Sequence, residues 1–271
     1  MVAPSPADAP VHVATPLGRG WAVEGFGEER LTALIAADGC PDPTAVMQKA
    51  GNTAAVLRGE LELPTGRTAV CWKRIRRKTV LKRLATAVRT RRTVLTYLYA
   101  VRLRAAGVCT PRPLACTAPR RRQVDRPAWL ATEWAEGTED LAMARRRLAE
   151  LPESQRLRIA ARYAEAVGRT LGALHAAGAS HRDLKPNNLL VTRLVDEGGG
   201  EAPVAWVIDL DAVTFPRSLT SHRRQRDLAR LRRGLPDLPR TVVGRFFKAY
   251  HQASGGLTGE SRRAYADWPA A

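Results

Sequence analysis

The chain has 271 residues, with 44 Lys+Arg against 26 Asp+Glu and a formal net charge of +18. At 45% hydrophobic residues it can bury a core, which excludes a disordered basic tail, and the length suits one large domain or two small ones. Residues 63–124 contain 17 Lys+Arg and no acid, leaving 27 bases and 26 acids elsewhere. The net charge is therefore a property of under a quarter of the chain, and it points to an acidic partner.

Residues 1–20 are rich in Pro and Ala without periodicity and read as a mobile tail. Residues 28–37 read as a short helix closed by Asp38-Gly39. Residues 46–57 suggest two strands around a Gly51-Asn52 turn. Residues 68–75 form a strand pattern with Val70, Trp72 and Arg74 on one face and Cys71, Lys73 and Ile75 on the other. A helix is expected over 91–106, followed by extended chain at Pro111 and Pro113 and a strand over 128–133. This first part, 21–131, reads as a small sheet with one or two helices.

From Thr132 the pattern changes. Residues 132–137 read as a linker whose Glu133 and Ala135 backbone would face a base; 154–177 form a long amphipathic helix. Two apolar runs, 189–194 and 204–210, flank the hairpin turn DEGGG, and helical segments follow near 225–233 and 239–252. The second lobe is thus 132–271. The four cysteines have neither CxxC spacing nor nearby His, and read as reduced thiols of a cytoplasmic protein. No run of about 18 apolar residues would cross a membrane, and the N-terminus lacks signal-peptide character.

The chemistry concentrates in His181-Arg182-Asp183-Leu184-Lys185-Pro186-Asn187-Asn188, with Asp209 on a later strand end. HRDxxxxN followed by a hydrophobic-Asp is the catalytic-loop and metal-ligand pattern of the protein-kinase fold. One carboxylate (Asp209) and one amide oxygen (Asn188) suit Mg2+, which neutralises a nucleotide's phosphates. A second carboxylate, Asp183, can deprotonate an acceptor hydroxyl, and Lys185 can reach the transferred group. His181 is read as a packing residue. Lys73 resembles the lysine that grips the α- and β-phosphates of ATP, with one more base in a basic segment as the alternative; Gly51 would belong to the phosphate-covering turn.

Three stretches, VCWKRIRRKTVLKRL (70–84), LRAAGVCTPRPL (103–114) and VIDLDAVTF with its downstream RDL (207–231), resemble the lipopolysaccharide kinase family, which phosphorylates Kdo or heptose. The resemblance implies an α+β, two-lobed protein-kinase-like fold with a β-rich first lobe and a mainly helical second lobe. It implies Asp183 as base, Asn188 and Asp209 as magnesium ligands, Lys73 on the phosphates of ATP, and Asp227 behind the catalytic loop. Asp211 either assists a second metal or faces solvent.

Two departures from protein kinases stand out. The acid-free span offers Lys73 no helix Glu, with Thr96 near the expected place, and no APE sequence follows Asp211. The second favours a compact sugar acceptor over a peptide. The expected partners are a lipopolysaccharide-core saccharide or another anionic glycan, with peripheral contact at an anionic inner membrane and no specific nucleic acid. The alternatives are a protein Ser/Thr kinase, or a weakly catalytic kinase-like module on an anionic membrane.

Overall fold

The computed structural model describes residues 10–50, 54–75, 83–120, 123, 126–194, 201–235 and 237–255, with only the backbone of 10 and 83–91. The chain divides into two compact units, Met1–Ala105 with Pro111–Glu136, and Ala106–Thr110 with Gly137–Ala271.

The first unit is an antiparallel sheet. Its strands are β1 (Pro10–Ala14), β2 (Gly18–Val23), β3 (Val46–Ala50), β4 (Ala54–Leu63), β5 (Gly66–Ile75), β6 (Pro113–Pro119) and β7 (Ala128–Glu133). Their order is β1-β2-β6-β7-β5-β4-β3. The expected tail is thereby corrected over 10–20. Val11 and Val13 alternate along β1, an edge strand that pairs only with β2, and Pro10 takes its first position, where no ladder donor is lost. The strand β6, which follows Pro111, was expected only as extended chain. The Gly51-Asn52 turn lies outside the described residues, as does the turn of the second hairpin.

Two helices belong to this unit, α1 (Glu28–Ala36) and α2 (Arg83–Ala105). Strand alternation sorts the sheet's two faces. Val70 and Trp72 point into a core with Phe26, Leu31, Leu34, Leu57 and Trp129, in which the Trp72 and Trp129 rings meet edge to face at 6.5 Å. The opposite face buries Cys116 and Leu130 under Tyr97 of α2. Burying each large side chain contributes roughly 1.5–3 kcal/mol, which is why the arginine-rich α2 stays on the sheet. Its N-terminal half reaches beyond the expected start at 91, because residues 83–92 hold four arginines and only two large apolar residues, Leu84 and Val88, to announce it.

Asp42 pins the approach to β3. Its carboxylate accepts from Thr44 N–H (2.8 Å), Thr44 Oγ1 (2.7 Å) and Glu60 N–H (2.9 Å). Burial pushes the carboxyl pKa up, but these donors outweigh it and leave it below the ordinary value. A β-carbon at Gly59 would collide with the same carboxylate.

The second unit comprises β8 (Thr138–Asp140), α3 (Leu141–Ala149), α4 (Glu153–Ala176), β9 (Ser180–His181), β10 (Leu189–Thr192), β11 (Ala205–Val207), β12 (Val213–Thr214), α5 (Ser221–Arg233) and α6 (Arg240–Ala253). Strands β8, β10 and β11 form one small sheet, and β9 pairs with β12. Helix α4 packs on α6 at close range because Gly168 and Gly172 sit one turn apart; a β-carbon at either would strike the backbone carbonyl of Phe246 or Tyr250. Asp140 caps α3 by accepting from Met143 N–H at 2.8 Å. Arg147 of α3 donates to Glu139 at 2.5 Å and to Tyr163 Oη at 3.1 Å, and Tyr163 Oη accepts from Leu194 N–H at 3.0 Å. That network ties α3 and α4 to the end of β10.

Among the described residues no helix is long and apolar enough to cross a membrane. Cys40, Cys71, Cys109 and Cys116 form no disulfide.

Candidate active site

Helix α4 ends at Ala176 and is closed by Gly178, whose φ of 76° only a glycine adopts without strain. The chain then enters β9, and after His181 the Arg182 N–H donates to Ala212 C=O at 3.2 Å. Leu184 is buried and anchors the loop, while Pro186 starts a single 3-10 turn through Asn188. Pro186 in turn packs against Gly234, where a β-carbon would not fit.

These anchors bring three of the expected side chains together. Lys185 Nζ donates to Asp183 Oδ2 at 2.7 Å, and both side chains are about half exposed. Asn188 Nδ2 donates to Asp183 C=O at 2.8 Å and to Asp183 Oδ2 at 3.2 Å. His181 is fully buried. Its Nδ1 faces Asp183 N–H at 3.3 Å and its Nε2 faces Ile208 C=O at 3.1 Å, so the neutral Nε2–H tautomer satisfies both. The histidine ties the backbone of Asp183 to that of Ile208 from inside the fold.

Asp209 joins the same end of the hairpin. Leu189 pairs with Val207, and Ile208 N–H donates to Asn188 C=O at 3.0 Å, so Asn188 and Asp209 leave adjacent strand ends. Asp209 is the single non-glycine residue with positive φ among the described residues, at φ 57°, ψ 52°. A left-handed residue here costs on the order of 1–3 kcal/mol, and such strain concentrates at functional sites. Asp211 follows in the 3-10 turn Leu210–Ala212 and is partly exposed.

Behind the loop, Asp227 of α5 is fully buried. Its Oδ2 accepts from Ser180 Oγ (2.7 Å) and His181 N–H (2.9 Å), and its Oδ1 pairs with Arg230 at 3.0 Å. His175 Nε2 lies 3.5 Å from Oδ2, and its Nδ1 is hydrogen-bonded to Tyr250 Oη at 2.6 Å. Burial lowers the His175 pKa against the pull of Asp227, and burial pushes the Tyr250 phenol up to about 12. Ser180, His175, Tyr250 and Arg230 carried no sequence signal, because their roles exist only once α4, α5 and α6 converge. Thr110 had one, in the TPRP run: its Oγ1 donates to Val207 C=O at 2.8 Å, two residues before Asp209.

Among the described residues no group of three or more His, Cys, Asp or Glu could hold a metal ion. One amide oxygen and one carboxylate nevertheless fit Mg2+, which takes few protein ligands and keeps waters and phosphate oxygens. Asn188 spends its Nδ2 on Asp183, so Oδ1 is the atom that would ligate a metal.

The remaining expected residues lie in the first unit. Lys73 on β5 is opposite Leu130 of β7 and Val56 of β4, on the sheet face that α2 covers. Helix α2 has no acidic residue and buries Thr93, Thr96 and Tyr97. Glu133 N–H is taken by Arg112 C=O and Trp134 N–H by Ala69 C=O, each at 2.8 Å. Glu133 Oε1 is 3.3 Å from Arg112, and Ala135 follows beyond the end of β7, near the end of the unit. Gly51 is outside the described residues.

The profile of the lipopolysaccharide kinase (Kdo/WaaP) family matches residues 61–250. The chain belongs to that family. This lipopolysaccharide kinase is similar in structure to "WaaP in complex with acyl carrier protein", with a TM-score of 0.53 and 22% identity, covering 87% of this chain and 91% of that one. The BubR1 kinase domain aligns with a TM-score of 0.45 and 12% identity over 79% of this chain and 53% of that one. No curated protein sequence matches significantly. The fold is protein-kinase-like, α+β, and the family makes the chain a kinase, a phosphotransferase of lipopolysaccharide biosynthesis.

Proposed function

We propose that this lipopolysaccharide kinase transfers the γ-phosphoryl group of ATP to a hydroxyl of a core sugar, Kdo or heptose, or of a similar anionic saccharide. The observation that carries the reading is the Asp183, Lys185 and Asn188 cluster beside Asp209, in a chain of this family. Asp183 accepts the proton of the acceptor hydroxyl as the oxygen bonds to the γ-phosphorus. The bond from that phosphorus to the β,γ-bridging oxygen breaks, and ADP leaves with the electron pair.

The half-exposed Asp183–Lys185 pair is poised for this. Lys185 can turn from the carboxylate to the transferred phosphoryl group, whose negative charge it stabilises. Asn188, held by Asp183, keeps the base oriented. Asn188 Oδ1 and Asp209 would hold Mg2+, which when bound neutralises the charge of the phosphates. Lys73 is assigned the α- and β-phosphates, and the Glu133–Ala135 backbone the adenine. Asp211 is assigned a supporting place beside the metal. We place the reaction on the cytoplasmic side, with peripheral contact at the inner membrane.

The test is incubation of the protein with Mg-ATP and a dephosphorylated core oligosaccharide, with added phosphate read by mass spectrometry. Asp183→Ala should lower the rate by about 10²–10⁴. Absence of both ATP binding and transfer to any glycan would overturn the reading in favour of a non-catalytic module. Transfer to peptides instead would favour a protein kinase.

A further inference from the structure

The second unit carries a net positive charge, 22 Lys+Arg against 15 acids over 137–271, and that charge is unevenly placed. Residues 212–255 hold ten Lys+Arg and two acids. Six of the bases are arginines of α5, whose single acid, Asp227, is buried and directed at the catalytic loop. Arg224 also turns inward, to Tyr250.

Arg223, Arg226, Arg230 and Arg233 follow one another at i, i+3, i+7 and i+10, which places them on one stripe of the helix. Arg223, Arg226 and Arg233 are exposed, and none has an acidic partner among the described residues. Arg230 pairs with Asp227 through Nη1 and is partly exposed. Like charges at such spacings repel by a few tenths of a kcal/mol per pair, a cost that the fold of α5 does not need. The stripe is also held in place, because Asp227 ties its helix to Ser180 and His181, two residues from Asp183.

We propose that this arginine stripe of α5 binds phosphate groups already present on the saccharide acceptor and so selects a phosphorylated acceptor over a bare one. The proposal rests on the kinase reading above and adds the chemical class of acceptor and the surface that reads it. Guanidinium forks match phosphate oxygens in pairs. The stripe spans about 15 Å at 1.5 Å per residue, the scale of an oligosaccharide. An anionic bilayer fits it less well: the outward positions between the arginines are His222, Gln225 and Ala229, with no large apolar side chain to enter a membrane interface.

The test is the double variant Arg226→Gln/Arg233→Gln against the parent protein, with core oligosaccharide in its phosphorylated form and after chemical removal of its phosphates. The preference for the phosphorylated acceptor, as a ratio of kcat/KM values, should fall tenfold or more. The dissociation constant of the phosphorylated oligosaccharide, measured by calorimetry near 0.15 M salt, should rise by a similar factor. That second readout is independent of phosphoryl transfer, so it decides the inference even where the kinase reading fails. An unchanged dissociation constant in the double variant overturns the proposal. So does a variant that keeps its saccharide affinity but loses binding to phosphatidylglycerol vesicles, since the stripe would then be a membrane contact.

Discussion

Helices α2 and α5 each carry six arginines, yet they are fastened to their surroundings in opposite ways. Helix α2 has no acid and meets its sheet through Thr93, Thr96, Tyr97, Ala100 and Leu103, all buried. Helix α5 buries only Leu228 and Leu231 beside Asp227, and that one carboxylate takes donors from Ser180, His181 and Arg230. Attachment by area is spread over many small contributions. Attachment by a buried charge is concentrated in one residue, and it transmits the helix position to the catalytic loop.

The largest effect should therefore come from Asp227→Ala. Removing one partner of a buried charge network costs about 3–5 kcal/mol, read as a fall in the urea midpoint of unfolding. Asp227→Asn, which keeps the shape, should retain more of the stability while lowering the transfer rate. A loss below about 1 kcal/mol for the alanine variant would break the contrast.

Thr96→Val on α2 should cost only about 1 kcal/mol, because its hydroxyl donates locally, to Arg92 C=O at 2.9 Å. A loss comparable to that of Asp227→Ala would show that α2 too depends on a single polar anchor.

The smallest effect concerns His175. Asp227, Tyr250 and Arg224 face this buried imidazole, and burial lowers its pKa. The unfolded histidine takes up a proton below about pH 6.5 that the folded one resists. Its contribution to stability is therefore complete above that pH and is lost as the pH falls toward the lowered folded value. The parent protein's unfolding free energy, from urea titrations, should fall more steeply between pH 7.5 and 5 than that of His175→Gln, by at most about 1.4 kcal/mol per pH unit. Parallel profiles would remove His175 from the anchoring network.

Much of the second unit was legible because its chemistry is local. Eight consecutive residues from His181 to Asn188 carry the loop, and the apolar stripe of α4 precedes it. What lay hidden depended on distant partners or on short elements. Helix α3 has nine residues with three consecutive arginines, β8 has three residues, and β1 reads as tail until β2 pairs with it. Asp227 was visible through its RDL context, but His175 and Tyr250 meet it only after α4 and α6 pack through Gly168 and Gly172. In the first unit β5 was clear from alternation, and β7 was read as a short strand. The basic helix α2 was half hidden, since arginine repeats carry no period that a core would impose.

The amide of Asn188 has one further implication. Its two ends face different tasks: the nitrogen gives hydrogens to Asp183, and in the proposed mechanism the oxygen is left to a cation. A carboxylate at this position would be the stronger cation ligand in isolation, but both of its oxygens would be acceptors, and one would confront Asp183 at hydrogen-bond distance. The better ligand would thus make the worse site, its charge repelling the carboxylate proposed as the base. Residue choice at 188 follows its neighbour's need for a donor, and a cation bound as proposed would receive what that neighbour leaves over.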